Sequence, residues 1–298
     1  MTELLHGAGT IVLDFVICAT TALVAHALLP IPSEVFRKIL HLILLGSLAV
    51  WALVFSSWWI SALSAVVFAL AVYPLLSLAE HLKGYSALLT ERKGGEIKHS
   101  LLVVFTMYAL VAAVCWGWLD DKLLALASIY AWGLGDAAAA LIGKRFGKHH
   151  FKGAAISLKT WEGTLAMFAV SFVTVFTLLQ FRGGLSTIGC IFSAAGTAAV
   201  SAAVELYTPN GMDTITCPLA AMAVLLPLVA LFGAFYERTF GQPHPVDVGA
   251  DEFSRPAGGG SWLTGGKEFH PAGRLFPPQC RAAGHHRVLC GLSVGRER

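Results

Sequence analysis

From residue 8 to residue 236 the chain is a succession of long apolar runs separated by short polar breaks. A helix needs about 20 apolar residues to cross the hydrocarbon of a bilayer. The runs that approach this length are 8–29, 38–55, 58–79, 100–118, 122–143, 163–180, 185–206 and 214–236. The breaks at 55–57, 119–121 and 181–184 are so short that the helices they join must pack as antiparallel hairpins. The pattern predicts an all-α protein, a polytopic membrane helix bundle with roughly eight spans.

The polar breaks alternate in charge. Arg37 and Lys38 close the break after the first run, and Lys83, Arg92, Lys93 and Lys98 lie after the third. After the fifth come Lys144, Arg145, Lys148, Lys152 and Lys159, with no acid until Glu162. These breaks share one side, which the excess of cations makes cytoplasmic, with the N-terminus outside. The next break on that side, YTPNGMD (207–213), has no cation; Glu205 flanks it and Asp213 ends it. Beyond about residue 238 the apolar pattern gives way to Gly, Pro, Arg and His without helical periodicity, which predicts an irregular or disordered tail. The chain therefore divides into a transmembrane domain, 1–238, and a tail, 239–298. Cys280, His285, His286 and Cys290 in that tail could in principle hold a metal, but an unstructured tail is the favoured reading.

Composition agrees with the pattern. Of 298 residues, 56% are hydrophobic and 13% charged, against about 25% charged in a soluble domain. The net charge is only +3, and nothing in it points to a nucleic-acid partner. Cys18, Cys115, Cys190 and Cys217 lie in or beside apolar segments, where thiols pack as small hydrophobes. No CxxC pair occurs, which argues against a disulfide or zinc framework. MTELLHGAG lacks a basic leader and Asp14 interrupts the first run, so that run is expected to be a retained span.

Ionisable groups within a bilayer are costly and usually serve a function. Asp136, in GDAAAALIGKRFG (135–147), is such a group, about 10 Å below its helix end at 1.5 Å per residue. Gly133 and Gly135 precede it; Ala140, Gly143 and Gly147 follow on the same face, leaving room for a ligand or for another helix. A carboxylate next to a dense cationic loop suits a metal–polyphosphate, the acid holding Mg²⁺ and the cations holding phosphate oxygens. Topology alone also makes such loops basic. In SLKTWEG (157–163), Ser157 or Thr160 can cap the following helix and Glu162 falls in its first turn. A cap requires neither Lys159 nor Gly163. GAAISLKT (153–160) is nearly a P-loop, but Leu158 replaces the second glycine and no strand precedes it, so a P-loop is rejected.

GDAAAALIGKRFG followed by SLKTWEGT resembles the dolichol kinase and phytol kinase group of membrane lipid kinases, which also embraces diacylglycerol kinases of this type. FRKILHLILLG (36–46), GEIKHSLL (95–102) and ELYTPNGMDTITCPL (205–219) resemble further elements of that family, so the likeness extends over most of the transmembrane domain. Asp213-Thr214 stands where the family often has Asp-Asn. The related CDP-diacylglycerol synthases end on an element with Gly-Gly and Asp-Arg-x-Asp that has no counterpart here, which favours a kinase over a cytidylyltransferase.

The resemblance implies CTP as phosphoryl donor, Mg²⁺ as cofactor, a lipid alcohol as acceptor and an active site facing the cytoplasm. Phosphoryl transfer asks the protein chiefly for positioning and charge stabilisation. On this reading Asp136 binds the metal, with Asp213 or Glu162 completing its shell. Lys144, Arg145, Lys148 and Lys159 hold phosphates, helped by Arg37 and Thr160. His41 orients the acceptor hydroxyl or takes its proton, unless it is simply bonded to a neighbouring helix. Arg37 and Lys38 can alternatively be anchors that snorkel to headgroups, and Glu96 and Lys98 share the side without a derived role. A phosphatidate cytidylyltransferase is the alternative. A transporter using Asp14 and Asp136 as coupling carboxylates is disfavoured by the lack of an internal repeat. Phytol, a polyprenol and diacylglycerol remain open as acceptors, as does the oligomeric state.

Overall fold

The computed structural model describes residues 2–81, 95–151, 159–208 and 212–240. Lys83, Arg92, Lys93, Lys152, Ser157, Leu158 and the tail from 241 onward, its cysteines and histidines included, lie outside the described residues.

The described residues form eight long helices: α1 (Thr2–Leu28), α2 (Ser33–Val54), α3 (Trp58–Ala79), α4 (Glu96–Ala112, continued by a π-helical stretch Ala113–Trp118), α5 (Lys122–Phe146), α6 (Trp161–Arg182), α7 (Thr187–Tyr207) and α8 (Asp213–Phe240). All eight are long and apolar enough to cross a membrane. The protein is a multi-pass, all-α membrane bundle. Among the described residues there is no strand, and the one β-type pairing is an isolated antiparallel bridge between His150 and Thr160.

Helix α3 matches the apolar run 58–79, whereas α2 and α4 begin at Ser33 and Glu96, ahead of the runs at 38 and 100. Helix α5 likewise continues past 143 to Phe146. Hydropathy marks the part of a helix that matches the hydrocarbon, but backbone hydrogen bonding continues into the polar rim. These extensions carry charged residues, among them Glu34, Arg37, Glu96, Lys144 and Arg145, at the end of the bundle where the candidate site lies.

Helix α5 is the most enclosed of the eight, and α1 and α3 are the least. It packs chiefly on α6, with further contacts to α2, α4, α7 and α8. On the other flank, Trp51 of α2 and Phe105 of α4 meet edge-on, with ring centroids 4.9 Å apart, and both touch Phe15 and Phe68. Some polar groups inside the bundle pair within it, as a bilayer favours, whereas the buried Trp132 Nε1 and the Ser193 and Ser201 hydroxyl oxygens have no hydrogen-bond partner among the described residues. Ser61 and Tyr108 share a 2.7 Å hydrogen bond, and the Ser47 hydroxyl donates to Asp14 at 2.7 Å. Ser47 lies nine residues beyond Lys38 on α2, which sets Asp14 about 13 Å deeper than the charged end at 1.5 Å per residue.

The end with the shortest connections is locked. Asp121 caps α5 by accepting from the Leu124 amide at 3.0 Å, and it also pairs with Arg182 at the end of α6. Lys122 donates to the Phe55 carbonyl at 2.7 Å and lies over the Trp116 ring. The residues with candidate chemistry gather at the opposite end.

Candidate functional site

Asp136 projects from α5 between two residues of the first turns of α2. Lys38 Nζ stands 2.5 Å from its Oδ2, and His41 Nε2 stands 4.0 Å from the same oxygen. His41 Nε2 is also 3.2 Å from the Gly133 carbonyl oxygen. A carbonyl can only accept, so Nε2 carries a proton and Nδ1 is the nitrogen left to receive one. The His41 ring meets Trp132 edge-on at 5.1 Å, which fixes its plane.

The small residues around Asp136 make room for helices. A Cβ on Gly133 would fall 2.4 Å from a Leu45 methyl of α2, and one on Gly135 would fall 2.5 Å from Ser171 Oγ of α6. Farther along, α5 and α6 nearly touch backbone to backbone: a Cβ on Gly163 would lie 3.0 Å from the Ala139 carbonyl oxygen and 3.4 Å from Gly143 Cα. Thr160 sits buried in this contact and caps α6, its Oγ1 accepting from the Gly163 amide at 3.2 Å. The strand-like pairing of His149–Phe151 with Lys159–Trp161 closes the base of the loop, through Phe151 N to Lys159 O at 3.2 Å and Trp161 N to His149 O at 3.0 Å. A Gly163→Val substitution puts three carbons against backbone that cannot rotate away. It is expected to cost about 2 kcal/mol, read as a lowered thermal unfolding midpoint in detergent.

That geometry delivers Lys159 to α7. Its ammonium pairs with the buried Glu205 carboxylate and donates to the Glu205 carbonyl at 2.8 Å. Asp213, the first residue of α8, completes the group: the charges of Asp136, Lys38 and Lys159 all act on its carboxyl. Three carboxylates, from α5, α7 and α8, thus share one neighbourhood with two ammonium groups, from α2 and the α6 entrance. Among the described residues no three His, Cys, Asp or Glu side chains form a cluster able to enclose a metal by themselves.

The remaining candidate residues stand around this centre. Arg37 turns from Asp136 to pair with Glu96 of α4 and, at 3.5 Å, with Glu34. Lys144 reaches Glu34 at 3.0 Å. Arg145 and Lys148 are exposed, with Arg145 over the Phe146 ring. Glu162 faces His149, accepting from its ring at 2.7 Å and from its amide at 3.3 Å. The structure therefore brings Asp136, Asp213, Lys159 and His41 together, and turns Glu162, in the first turn of α6, to His149.

The sequence reading left Lys38 and Glu205 out of the site. Both carried a signal: Lys38 adjoins the candidate Arg37 on α2, and Glu205 lies at the end of α7 just ahead of the connection to the candidate Asp213 on α8. What identifies them is a partner 98 residues away for Lys38 and 46 away for Glu205.

The chain is 30% identical to the phytol kinase of Synechocystis sp. over 197 residues, which cover 65% of this chain and 78% of that protein. It is 47% identical over 49 residues to the dolichol kinase of Saccharomyces cerevisiae, covering 16% of this chain and 9% of that protein. No family model matches the chain, and no solved structure does.

Proposed function

The chain belongs to the family of membrane lipid kinases that includes phytol kinase and dolichol kinase, and from that membership we propose that it transfers the γ-phosphoryl group of CTP to a lipid alcohol at the charged end of its bundle. It is a lipid kinase that takes a nucleotide donor and a lipid acceptor. The observation that carries the finer reading is the meeting of Asp136, Glu205 and Asp213 with Lys38 and Lys159, contributed by separate helices at one end of the membrane domain. The excess of cations at that end supports a cytoplasmic site.

Mg²⁺ is usually bound through one or two carboxylates, with phosphates and water filling the other positions. Asp136 and Asp213, acids contributed by α5 and α8 at the same end of the bundle, would be the residues to hold it. When bound there, Mg²⁺ would supply charge neutralisation on the phosphates. Lys159, fixed at its root by the α6 cap and the loop bridge, faces the charge on the transferred group. Thr160, buried between α5 and α6, caps α6 and so holds the neighbouring Lys159 in position. Arg37, Lys144, Arg145 and Lys148 ring the entrance and hold the outer phosphates. Glu162 keeps His149, and with it the loop base, in place. His41, with Nε2 committed to Gly133, orients the acceptor hydroxyl and receives its proton at Nδ1. The alkyl chain of the acceptor stays in the bilayer.

The test uses the purified protein in detergent with Mg²⁺ and either γ- or α-labelled CTP, offered phytol, a polyprenol or diacylglycerol, and phosphatidate in a parallel reaction. Label from the γ-position alone is expected in the product of one of the alcohols. Label from the α-position entering phosphatidate would replace the kinase with a cytidylyltransferase. Transfer from ATP but not CTP would overturn the donor.

A further inference from the structure

We propose that Lys38 is an exchangeable counter-ion of the site: it rests on the Asp136 carboxylate while no metal–nucleotide is bound, and passes to a phosphate oxygen when a divalent cation takes that carboxylate. The inference rests on the kinase reading and adds to it a residue and a coupling between metal and nucleotide binding.

Arg37 and Lys38 are neighbours in sequence but serve different places. Arg37 ties α2 to α4 through Glu96. Lys38 turns inward to α5, where it and Asp136 keep only 19% and 16% of their side-chain surface exposed. A lysine anchored to headgroups would point the other way. Glu205 already carries Lys159, so the centre holds one carboxylate more than it has ammonium groups. That leaves capacity for added positive charge, and a divalent cation would seek it at Asp136 and Asp213.

Lys38 stands in the way. Its ammonium occupies Asp136 Oδ2, and a divalent cation at that oxygen would repel it. In a partly dry site neither ion can be left without a partner at low cost, so the carboxylate has to be handed over as a phosphate arrives to receive the ammonium. Lysine suits such an exchange: it is a point charge on a flexible stem, with donors that need no fixed plane, whereas an arginine fork would grip the carboxylate. His41 does not replace it, because Nε2 is directed to Gly133 and lies 4.0 Å from the shared oxygen. Metal and nucleotide then favour each other's binding, and the coupling is reciprocal.

The measurement is binding of Mn²⁺ alone to detergent-purified protein, followed by the spin-resonance signal of the free ion. Lys38→Met removes the competing charge and is expected to bind Mn²⁺ about tenfold more tightly than the wild type, while its KM for CTP rises and turnover falls. Adding Asp136→Asn should abolish the gain. Lys38→Arg should bind Mn²⁺ more weakly than the wild type. If Lys38→Met fails to fold, Lys38→Gln carries the same expected rise. Unchanged or weaker Mn²⁺ binding in the neutral variants would overturn the exchange and leave Lys38 as a brace for Asp136. Wild-type turnover with labelled CTP reads the kinase assignment separately, so either conclusion can fail without the other.

Discussion

Replacing Asp136 with asparagine is expected to lower phosphoryl transfer by about a thousandfold, the upper range for removing one preorganised charged group from a reacting centre. Asparagine keeps the shape and an oxygen for Lys38, but it removes the charge that a divalent cation needs. It also leaves the Lys38 ammonium without a counter-charge. Both partners retain some solvent contact, so the stability cost should be about 1–2 kcal/mol rather than that of a fully buried pair. Initial rates with γ-labelled CTP, taken beside a thermal unfolding curve, separate the two effects. A variant that keeps more than a tenth of the wild-type rate would place the reacting phosphates away from Asp136.

The opposite result is expected at the other end of the molecule. Asp121 and Arg182 form a pair with only 6% and 12% of their side chains exposed. Arg182→Met leaves Asp121 buried and unpaired, which should cost about 3–5 kcal/mol and lower the unfolding midpoint. Helix α6 spans 22 residues, so Arg182 lies about 30 Å from the Thr160 cap. The KM for the nucleotide should therefore stay at its wild-type value in protein that remains folded. Adding Asp121→Asn should recover part of the lost stability, because asparagine still caps α5 but carries no charge. A raised KM in Arg182→Met would mean that the two ends of α6 are coupled.

The eight helices were legible because a bilayer imposes length and hydropathy together. Their charged ends were less so: Ser33–Arg37 and Glu96–His99 are helical but read as loop when the criterion is apolarity. Asp136 stood out as a carboxylate in an apolar helix, and Thr160 as a cap. The role of Gly143 was legible only as a choice between ligand and helix, and the backbone contact that it makes with Gly163 of α6 decides for the helix. Lys38 was hidden because its meaning depends on rotation of α2 toward α5, which no local pattern encodes. Glu205 was hidden for the same reason, its partner arriving from the entrance to α6. Glu162 shows the converse: its sequence position beside Lys159 says nothing of the direction of its side chain, which turns to His149.

Helix α5 is at once the least apolar of the eight spans and the most enclosed. During synthesis such a segment has the weakest drive into lipid of the eight by composition, since it carries Asp136 inside and Lys144 and Arg145 at its end. Translation runs from the N-terminus, so α2 and Lys38 have already emerged when α5 leaves the ribosome. A counter-charge for Asp136 is therefore already synthesised before its helix has to enter the membrane. Insertion and the proposed chemistry would then constrain the same two residues.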